Sequence, residues 1–200
     1  KHTLGGKTLL IYEHRMEEIR NQAIAPMAEY GGQKESVISI GVSPAVSVGL
    51  LPRILVQLQK TWPTVRARVL IGNSLEVMQS LEAQKINLGV VEGHFAFPGL
   101  NVQTFGQDEL VPIVSTKHAW AHKHGISDGE LAEQPLILAE RGSAARQTVE
   151  NYLKKNGILS QVDSIISINS SEALIAAVES GLGIGFTSRL VLNRLQSTKT

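Results

Sequence analysis

The stretch ILAERGSAAR, residues 137–146, contains a strand, a turn and the start of a helix, a pattern that recurs along the chain. Residues 136–139 predict a short buried strand, which runs into Gly142 and Ser143. Residues 143–155 predict a helix, because apolar residues recur there at helical spacing: Val149, Tyr152 and Leu153. The chain therefore passes from a strand into a helix through a short turn.

The start of this predicted helix has the chemistry of an anion site. Its first backbone N–H groups lack partners within the helix, and the helix dipole makes this end partly positive. Ser143 adds a hydroxyl and Arg146 a positive charge, so several donors would hold a small anion together. The alternative is an N-capping serine beside a solvated arginine. Similar turns elsewhere in the chain favour the ligand site.

Composition and charge restrict the class of protein. Two hundred residues can bury one large core or two small ones, and 42% hydrophobic and 18% charged residues are typical of a soluble globular protein. The net charge of +1 gives no global argument for nucleic acid or a membrane surface as a partner. The sequence has no cysteine, which excludes disulfides, thiolate metal sites and cysteine nucleophiles.

The sequence predicts no membrane-spanning or secretory segment. No uninterrupted apolar run approaches the roughly 20 residues that a membrane helix needs. Residues 9–30 mix apolar and charged side chains, which is not the pattern of a signal peptide. A cytoplasmic protein is the expectation, and the absence of cysteine permits such a reducing compartment without proving it. Because residue 1 is a lysine and the chain stops abruptly at Thr200, we expect both ends of the chain to be cut.

Residues 9–30 differ from the rest of the chain. Their apolar residues alternate at spacings of three and four and give an a/d stripe: Leu9, Tyr12, Met16, Ile19 and Ala23. This stripe predicts a long dimerisation helix that pairs with its own copy; the alternative is an amphipathic helix lying on its own domain. Pro26 should kink or end this helix, and residues 31–35 predict a short flexible linker.

From residue 36 onward, predicted strands and helices alternate. The first unit has three strands with two helices between them: strands 37–42, 65–71 and 87–91, and helices 48–60 and 74–84. This βαβαβ pattern predicts a parallel sheet covered by helices. Two further strands are predicted at 100–105 and 110–115.

A second unit follows residue 116. It alternates in the same way, with these elements in chain order: helix 128–132, strand 136–139, helix 143–155, strand 164–168, helix 171–179 and strand 183–187. We therefore expect an α/β fold with two lobes, residues 34–115 and 116–187. Residues 1–33 precede them, and residues 188–200 would begin a return crossover to the first lobe.

Four strand-to-helix turns carry the candidate ligand-binding residues. Ligands of open α/β sheets lie beyond the carboxyl ends of the strands, where these turns are. The candidates are Ser43 and Ser47; Asn73 and Ser74; Arg141, Ser143 and Arg146; Asn169 and Ser170; and Glu92 as a rim on the first lobe. Turns that face one another would form a cleft for a small anionic molecule. Capping is the alternative, since Asn73 with Glu76 and Asn169 with Glu172 have capping-box spacing.

Several motifs and their order resemble the LysR-type transcriptional regulators. They are TLGGKTLL at 3–10, IGVS at 40–43, LLP at 50–52, WP at 62–63, NLGVVEG at 87–93 and VESGLGIGF at 178–186. The first motif is similar to the junction between the family's winged helix-turn-helix domain and its dimerisation helix. The others are similar to parts of its effector-binding domain, and the last is the most specific.

The resemblance implies two Rossmann-like subdomains of periplasmic-binding-protein type II, with a small anionic metabolite between them as inducer. It also implies a homodimer or homotetramer, DNA binding through an N-terminal domain missing from this chain, and contact with RNA polymerase. We expect no cofactor, no metal site and no association with a membrane.

The turn at residues 141–143, with Arg146, is similar to that of the family branch that regulates sulfur assimilation and carbon fixation. This similarity suggests a sulfur oxyanion or a phosphorylated metabolite as the effector. Residues 144–145, both alanine, depart from the glycine and threonine that are common there. Glu140 would place a carboxylate near the anion unless it pairs with Arg141.

Other functions have weaker signals in this sequence. His118, His122 and His124 would offer metal ligands if helical, but no thiolate or carboxylate follows at useful spacing, and the alternative is a solvated basic loop. Ser143 lacks the glycines of a nucleophile elbow, and no phosphate-binding loop is present. We therefore expect no enzyme. The solute-binding protein of a transporter is the second hypothesis, and the stripe at 9–30 favours the regulator.

Overall fold

The computed structural model describes residues 36–93 and 97–197. The chain divides into two units, Lys1–Ser36 and Val37–Thr200, and every described helix and strand belongs to the second. The predicted dimerisation helix, with Leu9, Tyr12, Met16, Ile19 and Ala23, lies outside the described residues. None of the described helices is both long and apolar enough to cross a membrane.

Three parallel strands form the first sheet, in the order β2-β1-β3. The strands and the helices between them are β1 Val37–Val42, α1 Pro44–Gly49, α2 Leu51–Thr61, β2 Arg66–Ile71, α3 Ser74–Glu82 and β3 Leu88–Val90. Ile40 and Val42 of β1 are buried against Val46 of α1 and Leu51 of α2. The predicted parallel sheet is confirmed, and we call it, with its helices, the first lobe.

The predicted helix over 48–60 is wrong, because two helices occupy this part of the chain. α1 ends at Gly49, and α2 begins at Leu51. Pro52 explains the break, since it has no N–H to donate to the carbonyl of Val48 and its ring crowds that carbonyl. Within the first turn of α2 the same proline is tolerated, because N–H groups there have no partner in the helix.

The second sheet has four strands, in the order β4-β7-β5-β6. Its strands and the helices of this part of the chain are β4 Leu110–Ile113, α4 Asp128–Ala132, β5 Leu136–Ala139, α5 Ala144–Lys155, β6 Ser164–Ile168, α6 Ser171–Glu179, β7 Ile184–Ser188 and α7 Arg189–Ser197. Leu136 and Leu138 of β5 are buried in the same cluster as residues of α5, whereas Ile137 packs with residues of α6. This alternation covers both faces of β5 with helices, and we call this sheet with α4, α5 and α6 the second lobe.

The sequence grouped β4 with the first unit, but β4 pairs with β7 in the second sheet and runs antiparallel to it. Leu110 lies opposite Ser188, and Ile113 lies opposite Gly185. The alternation of strands and helices identifies strands without telling which sheet an edge strand joins. Between β3 and β4 the described residues form no crossover helix that would indicate the sheet.

The strand predicted at 100–105 is absent, since the described residues from 97 to 109 form a loop. Phe105 is 69% exposed there, and Val102 is exposed as well. A strand needs a neighbour for its N–H and C=O groups, and no described strand pairs with this segment.

The last described helix, α7, contacts the first lobe. A Cβ atom added to Gly49 of α1 would lie 2.9 Å from the Cβ of Leu190, so the two helices approach closely at this glycine. Asp108 holds the start of α7, because its carboxylate accepts from the Leu190 N–H over 3.3 Å and from the Ser188 hydroxyl. The return crossover expected over 188–200 stays a prediction.

Candidate functional site

Two of the predicted turns, one from each lobe, are in direct contact. One lies between β2 and α3, and the other lies between β5 and α5. The N–H of Leu75 donates to the carbonyl of Gly142 over 3.2 Å. The Nδ2 of Asn73 donates to Oε1 of Glu140 over 3.3 Å. We call these two hydrogen bonds the interlobe contact.

Asn73 is held in place by its own helix. The residue is 5% exposed, and its Oδ1 accepts from the N–H of Glu76 over 3.0 Å. The Glu76 carboxylate accepts in return from the Asn73 N–H over 2.9 Å, which confirms the predicted capping box. Because Oδ1 is used in the cap, the Nδ2 donor is left to face Glu140 of the second lobe.

Gly142 permits the two turns to approach each other. Its φ angle is +89°, a left-handed conformation that residues with a Cβ rarely adopt. A Cβ atom there would also lie 2.9 Å from Oδ1 of Asn73, which the capping box prevents from moving aside. Glycine is therefore required at residue 142 by its own backbone and by the opposite lobe.

Ser143 and Arg146, both predicted to bind the ligand, make contacts within their own turn. The Ser143 hydroxyl accepts from the Arg146 N–H over 3.1 Å and donates to the Glu140 carbonyl over 2.8 Å. The Arg146 guanidinium pairs with the Glu150 carboxylate and donates to the Ala139 carbonyl over 3.2 Å. Ser143 is thus the N-cap of α5, and Arg146 ties the start of α5 to β5.

Arg141 carries a charge at this turn that has no partner among the described residues. Its side chain is exposed, and no described residue forms a hydrogen bond or an ion pair with it. Glu140 accepts from Asn73, and the pair with Arg141 considered for the sequence is not formed. The N–H groups of Ala144 and Ala145, the first two of α5, also have no acceptor among the described residues. Together these groups form a set of donors suited to an anion.

A second group of polar residues lies at the carboxyl ends of β1 and β3. Ser43 is 2% exposed, and its hydroxyl donates to Oε2 of Glu92. The Ser74 hydroxyl, also buried, donates to the backbone carbonyl of Glu92 over 3.5 Å. Burial raises the pKa of Glu92, the hydrogen bond from Ser43 opposes this rise, and the nearby Asp108 carboxylate adds to it.

The remaining candidates are used in helix starts. The Ser47 hydroxyl donates to the Pro44 carbonyl over 2.7 Å, within α1. Ser170 is the N-cap of α6, and its hydroxyl accepts from the Ala173 N–H over 3.2 Å. The capping box predicted for Asn169 with Glu172 is therefore wrong: Asn169 forms a bend after β6, and the N-cap is Ser170, whose third helical residue is Ala173.

Two helices also form a contact between the lobes. Helix α1 of the first lobe lies next to helix α6 of the second, with Cα atoms within 8 Å of each other. This contact between α1 and α6 is a second place where the two lobes meet, in addition to the contact between the Asn73 and Gly142 turns.

The histidine segment has the form of a turn-rich loop. His118 accepts from the Trp120 N–H over 3.1 Å, and its ring meets the Trp120 ring edge-on, while His122 and His124 are exposed. In the part of the chain that the structure describes, no three His, Asp or Glu side chains are grouped to hold a metal ion.

Two residues that join the lobes, Glu140 and Gly142, were absent from the predicted ligand set. A glycine in the short turn between a buried strand and an N-capping serine is the sequence signal for a left-handed turn residue. The contact that this glycine allows with Asn73 has no local signal, because the two residues are far apart in the chain.

Comparison with known proteins gives matches over most of the chain. The chain is 28% identical over 180 residues to the HTH-type transcriptional regulator CysL of Bacillus subtilis, a match that covers 90% of this chain and 60% of CysL. It is also 25% identical over 202 residues to a probable RuBisCO transcriptional regulator of Phaeodactylum tricornutum, covering 99% of this chain and 66% of that protein. The chain thus spans less than two thirds of the length of these curated relatives.

A solved structure of similar fold is the regulatory domain of CcmR from Synechocystis in complex with 2-PG, 2-phosphoglycolate. The two structures superpose with a TM-score of 0.67 at 23% identity, over 78% of this chain and 74% of that one. The expected fold, two subdomains of periplasmic-binding-protein type II, is confirmed. The LysR substrate binding domain family matches residues 31–199, and the chain belongs to this family.

Proposed function

We propose that this chain is the effector-sensing part of a transcriptional regulator, and that a small anionic metabolite binds between its two lobes. The proposal depends on one observation: the turn that contains Asn73 and the turn that contains Gly142 come from opposite lobes and are in contact. Beside this contact lie hydrogen-bond donors that no described residue uses. The relatives named above are transcriptional regulators, which favours this function over a transporter component and over an enzyme. CcmR, a protein of similar fold, was solved with the anion 2-phosphoglycolate.

The proposed anion end of the site is the start of α5. Arg141 supplies a charge, and the N–H groups of Ala144 and Ala145 supply directed donors. The side-chain amide of Asn73, from the first lobe, donates a hydrogen bond to the Glu140 carboxylate. Because Glu140 has this partner, it does not compete with an anion for the donors at the start of α5. This site fits a phosphate, a sulfonate or a sulfur oxyanion, as the sequence suggested.

The proposal extends to a longer protein, because the chain spans less than two thirds of the length of its curated relatives. We propose that a DNA-binding domain precedes residue 1, that the helix at 9–30 forms a homodimer or homotetramer, and that the protein acts on RNA polymerase in the cytoplasm. A ligand would act by binding one arrangement of the lobes more tightly than another, because only differential affinity shifts such an equilibrium.

The test is a thermal unfolding screen of the chain with sulfate, sulfite, thiosulfate, 2-phosphoglycolate, ribulose bisphosphate and acetylserine. A ligand that binds the folded state stabilises it by about 2.7 kcal/mol at a hundredfold excess over Kd. We expect at least one of these anions to raise the melting temperature. The Arg141→Ala variant should lose most of that rise, because it removes the charge that has no partner among the described residues.

The matched control is Lys154→Ala, which removes a charge from the other end of α5. This variant should keep the full ligand-induced rise in melting temperature. The proposal is wrong if none of the six anions stabilises the chain, or if Arg141→Ala responds as strongly as Lys154→Ala.

A further inference from the structure

We propose that Glu92 recognises a hydrogen-bond donor of the effector, so that the effector is a bipolar molecule with an anionic group at one end and an ammonium or hydroxyl group at the other. This inference rests on the proposed function and narrows the class of ligand. It departs from the simple oxyanion that the sequence suggested.

The Glu92 carboxylate has one oxygen in use and one available. Oε2 accepts from Ser43, and no described residue donates to Oε1. Among the described residues, no fully buried side-chain oxygen lacks a partner, so Oε1 reaches solvent. An acceptor at the carboxyl end of β3, open on one side and fixed by a buried serine on the other, is suited to a ligand donor.

The charges around Glu92 favour a cation over an anion. No described lysine, arginine or histidine pairs with this carboxylate. Among the described residues, the charged group that acts on it electrostatically is Asp108, another carboxylate, while Ser43 at the start of α1 and Ser74 of α3 are neutral. Burial raises the pKa of Glu92, so an ammonium group beside it would offset an existing desolvation cost. A second anion at this position would add repulsion.

The two ends of the proposed site are connected through the first turn of α3. Ser74 of this turn contacts Glu92, and the neighbouring Asn73 contacts Glu140, which precedes Arg141. A molecule that lies along this turn therefore meets an acceptor at the Glu92 end and donors at the Arg141 end. The site therefore favours a ligand with a hydrogen-bond donor at one end and an anionic group at the other.

The test compares four sulfonates that share the anionic group and differ at the other end. Taurine carries an ammonium, isethionate a hydroxyl, propanesulfonate a methyl and sulfoacetate a carboxylate. Calorimetric titration of the unmodified chain should give the smallest Kd for taurine or isethionate. We expect propanesulfonate and sulfoacetate to bind at least about tenfold more weakly, since neither offers the charge-assisted hydrogen bond to Glu92.

The matched variants are Glu92→Gln and Glu133→Gln, the second an exposed carboxylate between α4 and the amino end of β5. Glu92→Gln should abolish the preference for taurine and leave propanesulfonate binding unchanged, and Glu133→Gln should alter neither. Should Glu92→Gln fail to fold, the ranking of the four sulfonates on the unmodified chain decides the question alone.

Equal affinity for the four sulfonates, or tightest binding of sulfoacetate, would overturn the inference. If none of the four binds while 2-phosphoglycolate or an inorganic anion binds in an Arg141-dependent way, the inference about Glu92 is wrong and the proposed function stands. If no anion of either series binds, the proposed function fails with it.

Discussion

Gly142 is the residue on which the contact between the lobes depends most directly. Its left-handed backbone and its 2.9 Å approach to Asn73 both exclude a side chain. We predict that Gly142→Ala lowers the free energy of unfolding by more than the about 1–2 kcal/mol that a left-handed alanine costs. Differential scanning calorimetry of the variant against the parent chain measures this loss.

Gly157 provides the matched control for that prediction. Its φ angle is +72°, and a Cβ atom there would meet nothing within 4 Å. Gly157→Ala should therefore lose only the backbone contribution. Equal losses in Gly142→Ala and Gly157→Ala would show that the approach of Asn73 has no energetic consequence.

Because Glu92 is a partly buried carboxyl group, we predict that the free energy of unfolding depends on pH. Its pKa is raised in the folded chain by burial, so the folded state holds this proton more tightly than the unfolded state does. The contribution of Glu92 to stability is therefore most favourable below its unfolded pKa and falls as pH rises through the folded pKa. Glu92→Gln should be more stable than the parent at pH 7, and the difference should vanish near pH 4.

Thermal unfolding of both proteins between pH 4 and pH 8 measures that difference. A variant that is less stable than the parent at pH 7, or a difference that does not change with pH, would contradict the account of Glu92 as a carboxyl whose ionised form is disfavoured by burial.

At the scale of single residues, the sequence predicts which polar residues stand at the turns but not which partners they take. Capping and ligand binding use the same atoms, so Ser143 fits both interpretations until its bond to Arg146 is seen. Arg146 is turned to Glu150 and β5, whereas Arg141 is left without a partner among the described residues. Such choices depend on neighbours in space, which a sequence pattern does not contain.

At the scale of helices and strands, Asn73 has two tasks that can be separated. Asn73→Asp keeps a capping oxygen for α3 but replaces the donor that faces Glu140 with a second carboxylate. We predict a loss of about 1–3 kcal/mol, because a hydrogen bond to a charged group is lost and like charges then meet. Chemical denaturation measures the change in free energy of unfolding.

The compensating variant is Asn73→Asp combined with Glu140→Gln, which exchanges donor and acceptor across the interlobe contact. This double variant should recover most of the stability lost by Asn73→Asp alone. If the two substitutions add independently, the hydrogen bond between Asn73 and Glu140 contributes nothing to the folded chain.

The limits of helices and strands were predicted well where a run of apolar residues defines a strand or a capping residue marks the start of a helix. The strands at 37–42, 136–139 and 164–168 and the helices at 128–132 and 171–179 have the predicted limits. The errors have two physical causes. The break before Pro52 is a local effect of the proline on the preceding turn, whereas the sheet that β4 joins is set by pairing with a distant strand.

At the scale of the whole molecule, assembly is predicted to depend on the stripe at residues 9–30. A chain lacking residues 1–33 should form a smaller assembly than the full chain, because it lacks the a/d positions that pair with a second copy. Multi-angle light scattering measures the mass of each.

The full chain with Met16→Lys and Ile19→Lys is the matched variant, since it places charges in the stripe without shortening the chain. It should show the same reduction in mass as the truncated chain. Unchanged mass in both proteins would remove the support for a dimerisation helix at these residues.

An amide chemical-shift map of the chain, titrated with the tightest-binding anion of the screen, tests whether the ligand binds between the lobes. The largest shifts should fall on Ala144 and Ala145 at the start of α5 and on the Asn73 turn, with little change at Gly157. Shifts confined to residues outside the turns between the lobes would contradict binding there.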